Sequence, residues 1–398
     1  MAKRSKSARR TESKTKSKLK PRPAAAKARG RSRTKTAAAN KRPSRARIAK
    51  PRPNIFLGVD VGATKIGINA IDQTRTPINP NWSQVPAFTE QGPQKTVEQI
   101  VAGVRLFLDE NNLPVSAVAA VGLDSPGPAD NQGVIQPSAN MKHPEWAGFK
   151  LRESVEKALS RALSHPVTVT YENDGNAAAF WESFIGNPEG TEVMAMLAPG
   201  TGLGGGIVIN GQLLRGARGM AAELGHVEIA HDPFTPGSQH QPCGCGQMYC
   251  AEAYVSVAGL QKALPAALAQ DKYAGHALLQ IDNVENLWKR RALEVRPLAA
   301  RGDALCLALF DWQAQALGKL CRQVADTIDP DRIVIGGGFI EGGQELTDRI
   351  LRITRETFEK LAFPKHATEV RIETAQAADQ AGCLGAALSA WTSVNAKR

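Results

Sequence analysis

The chain has 398 residues, 42% of them hydrophobic, with 50 lysines and arginines against 38 acids and a formal net charge of +12. That length and apolar content allow two domain-sized cores. No run of about 18 uncharged apolar residues occurs, which excludes a membrane-spanning helix from the expectation.

The charge is unevenly spread. Residues 1–53 hold 21 Lys/Arg and one acid, Glu12, which leaves 29 basic and 37 acidic residues for the rest of the chain. This tail has almost no large apolar side chain and is expected to be disordered. It lacks the spaced apolar positions of a helix-turn-helix and the apolar core of a secretory signal. Its lysines and prolines argue against a transit peptide. The charge suits a polyanion-binding arm for nucleic acid or polyphosphate; the alternative is a solvated tail that aids solubility.

After Pro53 the pattern changes. "NIFLGVDVGATKIGINAID" reads as two strands joined by a glycine-bearing turn, a β-hairpin. A helix over about 93–112 follows, then a strand in "AVAAVGLDSPG", a helix over about 149–163 and a strand in "VTVTY". "EVMAMLAPGTGLGGGIVINGQLLRG" repeats the opening as strand, glycine turn, strand and a third short strand. Helices are then expected over about 252–268, 285–300 and 303–327, a strand in "RIVIGGGF", a helix over 342–360, a strand in "EVRIETA" and a last helix over 380–392. A β-meander followed by αβ units thus occurs twice. The pattern predicts a duplicated α/β architecture of two domains with ligands in the cleft between them.

The turn Asp60-Val61-Gly62-Ala63-Thr64-Lys65 is a candidate phosphate loop. Gly62 admits close backbone approach, Thr64 offers a hydroxyl donor, and Asp60 is placed to hold a phosphate-bound Mg²⁺. An ordinary hairpin turn is the alternative, and Walker spacing is absent. The second turn concentrates glycine at Gly200, Gly202, Gly204, Gly205 and Gly206 around Thr201. Either a phosphate or a tightly packed sheet crossing accounts for that density. Gly336, Gly337 and Gly338 form a third run after a buried strand, suited to a nucleoside lying on bare backbone.

Two polar constellations complete the candidates. "YENDGNAAA" ends the strand at 171 on acids and amides and then starts a helix with small residues. Asp174 there is either a catalytic carboxylate or a plain helix N-cap. Cys243, Cys245 and Cys250, preceded by His226, offer three thiolates and an imidazole, a set that suits tetrahedral Zn²⁺. The alternative is reduced core cysteines. Six cysteines so distributed suit a reducing cytoplasm rather than a disulfide framework.

From about 54 to 392 the chain resembles the ROK family of sugar kinases and repressors, within the actin-like ATPase superfamily. "GVDVGATKIG", "GLDSPGPAD", "ENDGNAAA", "PGTGLGGGIVINGQLLRGARGMAAELGHVEI", "CGCGQMYCAEAY" and "VIGGGF" carry the resemblance, in that order. It implies a duplicated actin-like (ribonuclease H-like) α/β fold. A small N-terminal domain would span 54–178, completed by the C-terminal helix 380–398, and a large zinc-bearing domain 179–379. It further implies that Asp174 is the general base toward a sugar hydroxyl. Asn140, Asn173, Glu223, His226 and Glu252 would bind the sugar, and ATP·Mg²⁺ would lie over Asp60, Gly62, Thr64, Lys65, Gly200, Thr201, Gly202, Gly204, Gly337 and Gly338. A structural Zn²⁺ would sit on His226, Cys243, Cys245 and Cys250, and the protein would form a homodimer.

The implied activity is ATP-dependent phosphorylation of a hexose, foremost glucose to glucose 6-phosphate. The alternatives are a sugar-sensing regulator of the same family, whose winged helix domain is missing here, and a polyphosphate-using glucokinase recruited through the tail. The chain departs from the family pattern in the 17-residue separation of His226 from Cys243, filled by "DPFTPGSQHQP", and in Tyr249 where glycine is usual. His231 and His240 in that insert are alternative ligands. The loop "SANMKHPEW" is also longer than usual, and residues 270–290 carry no recognisable chemistry; they would cap the cleft or join subunits.

Overall fold

The computed structural model describes residues 54–137, 141, 143–187, 192–377 and 379–395. The basic tail and Asn140 lie outside the described residues. The described residues fall within one compact unit.

The first half comprises β1 (Ile55–Val61), β2 (Lys65–Ile71), β3 (Ser83–Pro86), α1 (Pro93–Glu110), β4 (Val118–Ser125), α2 (Leu151–Ala162), β5 (Thr168–Asn173) and α3 (Asp174–Gly186). The second comprises β6 (Val193–Pro199), β7 (Leu203–Ile209), β8 (Gln212–Leu213), α4 (Glu252–Val255), α5 (Val257–Leu268), α6 (Leu287–Ala300), α7 (Ala304–Ile328), β9 (Arg332–Ile335), α8 (Gln344–Leu361), α9 (Pro364–Glu369), β10 (Arg371–Thr374) and α10 (Ala381–Asn395). The strands form two five-stranded sheets of order β3-β2-β1-β4-β5 and β10-β9-β6-β7-β8. These are one topology written twice: an antiparallel three-strand meander, then two parallel strands.

Strand alternation sorts the side chains into layers. In β1, Ile55, Leu57, Val59 and Val61 face a core closed by α1 and α2. Pro93 opens α1, and Val97, Ile100, Val104, Phe107 and Leu108 form its buried stripe at helical spacing. The opposite face of the same sheet, with Phe56 and Ala120, packs on α3 and α10. Those two helices also cover Met194, Met196 and Val208 of the second sheet, so they lie as a shared layer between the sheets. The outer face of the second sheet, with Ala195, Leu197, Ile333 and Ile335, packs under α5 to α8.

Helix α10 approaches the first sheet very closely. A Cβ on Gly58 would collide with the Cys383 carbonyl, and one on Gly122 with the Ala386 carbonyl. Gly385 meets the Ala177 carbonyl of α3 in the same way. Two buried charges fix the rest of the layer. Glu182 of α3 accepts the backbone N–H groups of Gln376 (2.8 Å) and Ala377 (2.9 Å), and Arg332 pairs with Glu192 (2.7 Å) and Glu373 (2.9 Å).

The sequence pattern missed β3 and α9 and joined two helices into one. The expected 252–268 helix breaks at Ser256, whose extended backbone and hydroxyl, accepting from Gly259 N at 3.0 Å, cap α5. Residues 270–290 form short 3₁₀ turns at Asp271–Tyr273 and Ala277–Gln280. Leu278 is buried in the core of the second sheet, and Arg291 of α6 donates to the Ile281 carbonyl at 2.8 Å. That segment is therefore a structural cover of its own half.

Candidate active site

Strand β5 delivers its polar end where the sheets approach. Its register with β4 and that of β4 with β1 set Asp60, Asp124 and Glu172 side by side across three strands. Asp174 follows as the first residue of α3. The cap of that helix is Asn173, not Asp174: the Asn173 Oδ1 accepts from Gly175 N at 2.9 Å. Asp174 accepts the same N–H at 2.8 Å and keeps an exposed side chain. It is recessed yet open to solvent. Burial in the concave site raises its carboxyl to about 6, and the charges of Asp60 and Glu223 raise it further against the Gly175 N–H.

Glu223 and His226 are exposed at a 3₁₀ turn, Leu224–His226, and Glu252 opens α4. Burial, then the neighbouring Glu252 charge, raise Glu223, while His226 opposes that shift. Glu252 Oε2 accepts from Leu203 N at 2.9 Å, and its Oε1 lies 3.3 Å from the Cys243 Sγ. Thus Glu252 links the second glycine turn to the cysteine cluster. The fold brings Asp174, Glu223, His226 and Glu252 into one region, with Asn173 beside Asp174.

The phosphate candidates divide. In the first turn Gly62 N donates to Lys65 O (2.9 Å), and Thr64 stays exposed. Lys65 places its ammonium 5.1 Å from the centre of the Trp82 ring. In the second turn, the density of glycine has two causes. Gly205 and Gly206 face α3 and β6 so closely that Cβ atoms would strike Met196 O and Ala179 Cβ. That pair serves helix–sheet packing, the alternative reading. Gly200 has no neighbour within 4 Å of an added Cβ, and Gly204 only the Cα of Gly175 at 4.0 Å. A Cβ on Gly202 would fall 2.5 Å from Glu252 Oε2. Gly337 has φ +67°, and a side chain there would meet Pro199 O at 2.5 Å, so Gly336–Gly338 lie against the second turn. Arg296 donates to Gly338 O on the same run.

His226, Cys243, Cys245 and Cys250 bring one donor atom each within 4.8 Å of the others. His226 Nδ1 is 3.6 Å from Cys243 Sγ, and Cys245 Sγ is 3.7 Å from Cys250 Sγ. Tetrahedral Zn–thiolate bonds of about 2.3 Å place sulfurs about 3.8 Å apart, so the donor set fits the ion. His231 and His240 do not join it. His231 is buried against Trp312, its Nε2 3.1 Å from Trp312 O, and burial lowers its pKa to about 4. His240 Nδ1 sits 3.2 Å from the Tyr254 hydroxyl. The insert is thereby an aromatic cover over α4 and α5.

Sequence reasoning passed over three site groups. Asp124 stood inside an apolar strand pattern and drew no role. Glu172 accepts the Arg215 guanidinium (2.5 Å to Nη2) and the Ser389 hydroxyl at 2.6 Å. Arg215 and Asn173 line a cavity of about 200 Å³ shared with Asp130, Asn131 and Asn176, where the two halves meet. Asp124 carried a local signal as an acid within a strand predicted to be buried, and Glu172 as an acid at a strand end; their link to Arg215 carried none, since Glu172 and Arg215 are 43 residues apart.

The duplicated sheet topology, a three-strand meander and two parallel strands written twice, is that of the actin-like ATPase fold. Residues 56–392 match the model of the ROK family, and the chain belongs to that family. It is 29% identical over 331 residues to a glucokinase of Halalkalibacterium halodurans, covering 83% of this chain and 93% of the relative. It is 29% identical over 341 residues to an N-acetyl-D-glucosamine kinase of Salmonella arizonae, covering 84% and 98%. The crystal structure of a ROK family glucokinase from Streptomyces griseus in complex with glucose and AMPPNP superposes with a TM-score of 0.65 at 27% identity, over 85% of this chain and 99% of that one.

Proposed function

We propose that the protein transfers the γ-phosphoryl group of ATP to a hexose, foremost glucose at its 6-hydroxyl, with Asp174 as general base. One observation carries this reading: an exposed carboxylate at the head of α3, raised to about 6, standing between Asp60 on one sheet and Glu223 on the other half. A base poised near neutrality accepts a hydroxyl proton and still ionises at working pH. Asn173, Glu223, His226 and Glu252 would fix the sugar hydroxyls, with Asn140 as a further contact. The phosphates would lie along Asp60, Gly62, Thr64, Lys65, Gly200, Thr201, Gly202 and Gly204, and the nucleoside against Gly337 and Gly338.

Two ions belong to this reading. Mg²⁺ bound with ATP would neutralise charge on the transferred group, and the buried Asp124 carboxylate beside Asp60 is an oxygen donor fit for it. Zn²⁺ on His226, Cys243, Cys245 and Cys250 would rigidify the loop that presents Glu223 and Glu252. Glu252 Oε1, now against the Cys243 thiol, would then be released toward the sugar. Two lobes, 54–178 with the last helix and 179–379, would close on the substrates and exclude water. A cytoplasmic homodimer, with the basic tail free to touch polyanions, completes the proposal.

The test is a panel of hexoses with ATP, wild type against Asp174→Asn, read by phosphorylation rate and by calorimetry for sugar binding. The proposal expects glucose to lead and the variant to bind it without turning it over. N-acetylglucosamine as the preferred substrate would overturn the glucose assignment. Undiminished turnover in the variant would overturn the base. Polyphosphate in place of ATP, with residues 1–53 present or deleted, tests the donor.

A further inference from the structure

Asn173 and Glu223, proposed to meet the hexose from opposite halves, ride on two segments that one ion pair joins. Glu172 precedes Asn173 in β5, and its side chain is 4% exposed. The buried Ser389 of α10 donates its hydroxyl to one Glu172 oxygen at 2.6 Å. Arg215, just past β8, supplies the rest: its Nε lies 3.1 Å from both oxygens and its Nη2 2.5 Å from one. The Arg215 side chain is 42% exposed and lines the cavity of about 200 Å³ where the halves meet. It is a cation reaching over an open rim to a buried acid, not a piece of core.

The segment after Arg215 is a compact loop. Ala221 N donates to Arg215 O at 3.2 Å, and a Cβ on Gly216 would lie 3.0 Å from the Ala221 Cβ. Ala222 takes a left-handed φ of +64°, and Glu223 follows it directly. That conformation is uncommon for alanine and persists where the surroundings impose it. The loop meets the first half at Asn131, whose Nδ2 donates to Ala217 O at 3.3 Å; a Cβ on Gly219 would come 2.8 Å from Asn131 N. The Asn131 bond is exposed and neutral. The Arg215 fork ends on a buried carboxylate, the stronger and more directional kind of bond.

We infer that Arg215 is a positioning residue: its guanidinium holds the loop that carries Glu223 against the strand end that carries Asn173 and Asp174. The spacing between the groups that meet the hexose from the two halves is then set by this one pair. Arg215 acts through Glu172 and through its own loop, not by touching the sugar. A misplacement of about 1 Å in such a constellation is enough to cost about 10²-fold in rate. The use of the anchor rests on the hexose-kinase reading; the anchor itself rests on the ion pair and the loop.

The experiment compares the wild-type full chain with Arg215→Lys and with the double variant Arg215→Met, Glu172→Gln. The double variant removes both charges together, so neither is left buried alone and the fold should hold; circular dichroism and Tm check this. Its KM for glucose should rise about tenfold or more and its kcat should fall, with KM for ATP within about twofold of wild type. Arg215→Lys keeps the charge and loses the fork, so it should fall between the two. Hydrogen exchange without substrates is the second measurement: amides of residues 214–226 should exchange about tenfold faster in the double variant. Unchanged exchange in that loop overturns the anchor. An unchanged KM for glucose, or an equal rise for both substrates, overturns the positioning role. Should the double variant not fold, Arg215→Lys decides by the same two measurements. A wild type that phosphorylates no hexose sinks the kinase reading instead, and the exchange rates still decide the anchor.

Discussion

The two sheets share one topology and end in opposite chemistry. In the first, the last paired row across the parallel strands is Asp60, Asp124 and Glu172. In the second, the corresponding row is Leu197, Ile335 and Thr374, followed by Gly200 after β6 and Gly336–Gly338 after β9. One repeat presents carboxylates and the other bare backbone. A duplicated scaffold of this kind can therefore split the labour of phosphoryl transfer. Charge, metal and proton handling would fall to the acidic ends, and contact with an extended polyanionic ligand to the glycine ends.

The largest effect that can break this division falls on Asp174. Replacement by Asn keeps the shape and removes the proposed base, and turnover should drop about 10²–10⁴-fold, with sugar affinity by calorimetry nearly unchanged. A comparable loss of sugar binding would mean that Asp174 only holds substrate. Next comes the proposed zinc loop of His226, Cys243, Cys245 and Cys250, which belongs to neither strand-end set. Cys250→Ser, or zinc removal by a chelator, should weaken sugar binding about 10–100-fold, read as a raised KM for hexose with the KM for ATP little altered. The glycine ends give a smaller effect of opposite selectivity. Gly337→Ala forces a Cβ into a left-handed backbone and onto Pro199 O at 2.5 Å. That costs about 1–2 kcal/mol, expected as roughly tenfold in KM for ATP while the KM for hexose holds. Equal changes in both constants would erase the proposed split.

Much of this was legible in the sequence. Paired glycine hairpins, each followed by alternating helices and strands, write the duplication in order, because hairpin turns and apolar runs are local signals. The helix expected to start with small residues after Asp174 is α3, where Ala177 and Ala179 are fully buried. What the sequence hid is long-range or weakly patterned. Helix α9, "PKHATE", buries no residue and so has no periodicity to read. β3 is four residues long and alternates poorly. The reason for glycine at 205 is the Met196 carbonyl of β6, that at 206 is the surface of α3, and that for Gly58 and Gly122 is α10, more than 250 residues away. No local rule assigns Arg332 to Glu192 and Glu373, or Arg215 to Glu172; those pairings exist only once both sheets are built.

The smallest expected effects follow from the raised carboxyl of Asp174, and their sign is fixed by linkage. The group titrates near 6 in the folded chain and at an ordinary carboxyl value of 3.8 otherwise. If the ionised form is the base, kcat/KM should fall about tenfold per pH unit below 6 and level off above it. Stability runs the other way. Between 3.8 and 6 the folded state binds more protons than the unfolded one, so this group's contribution declines as pH rises through that window and stays unfavourable above it. Asp174→Asn removes the decline. The variant should therefore melt slightly higher than wild type at pH 8 and alike at pH 3.5, measured by calorimetry under the same salt. A variant that melts lower at pH 8 would place Asp174 among the groups that hold the α3 helix together. The acidic strand ends would then be structural, and the contrast between the two sheets would lose its chemical meaning.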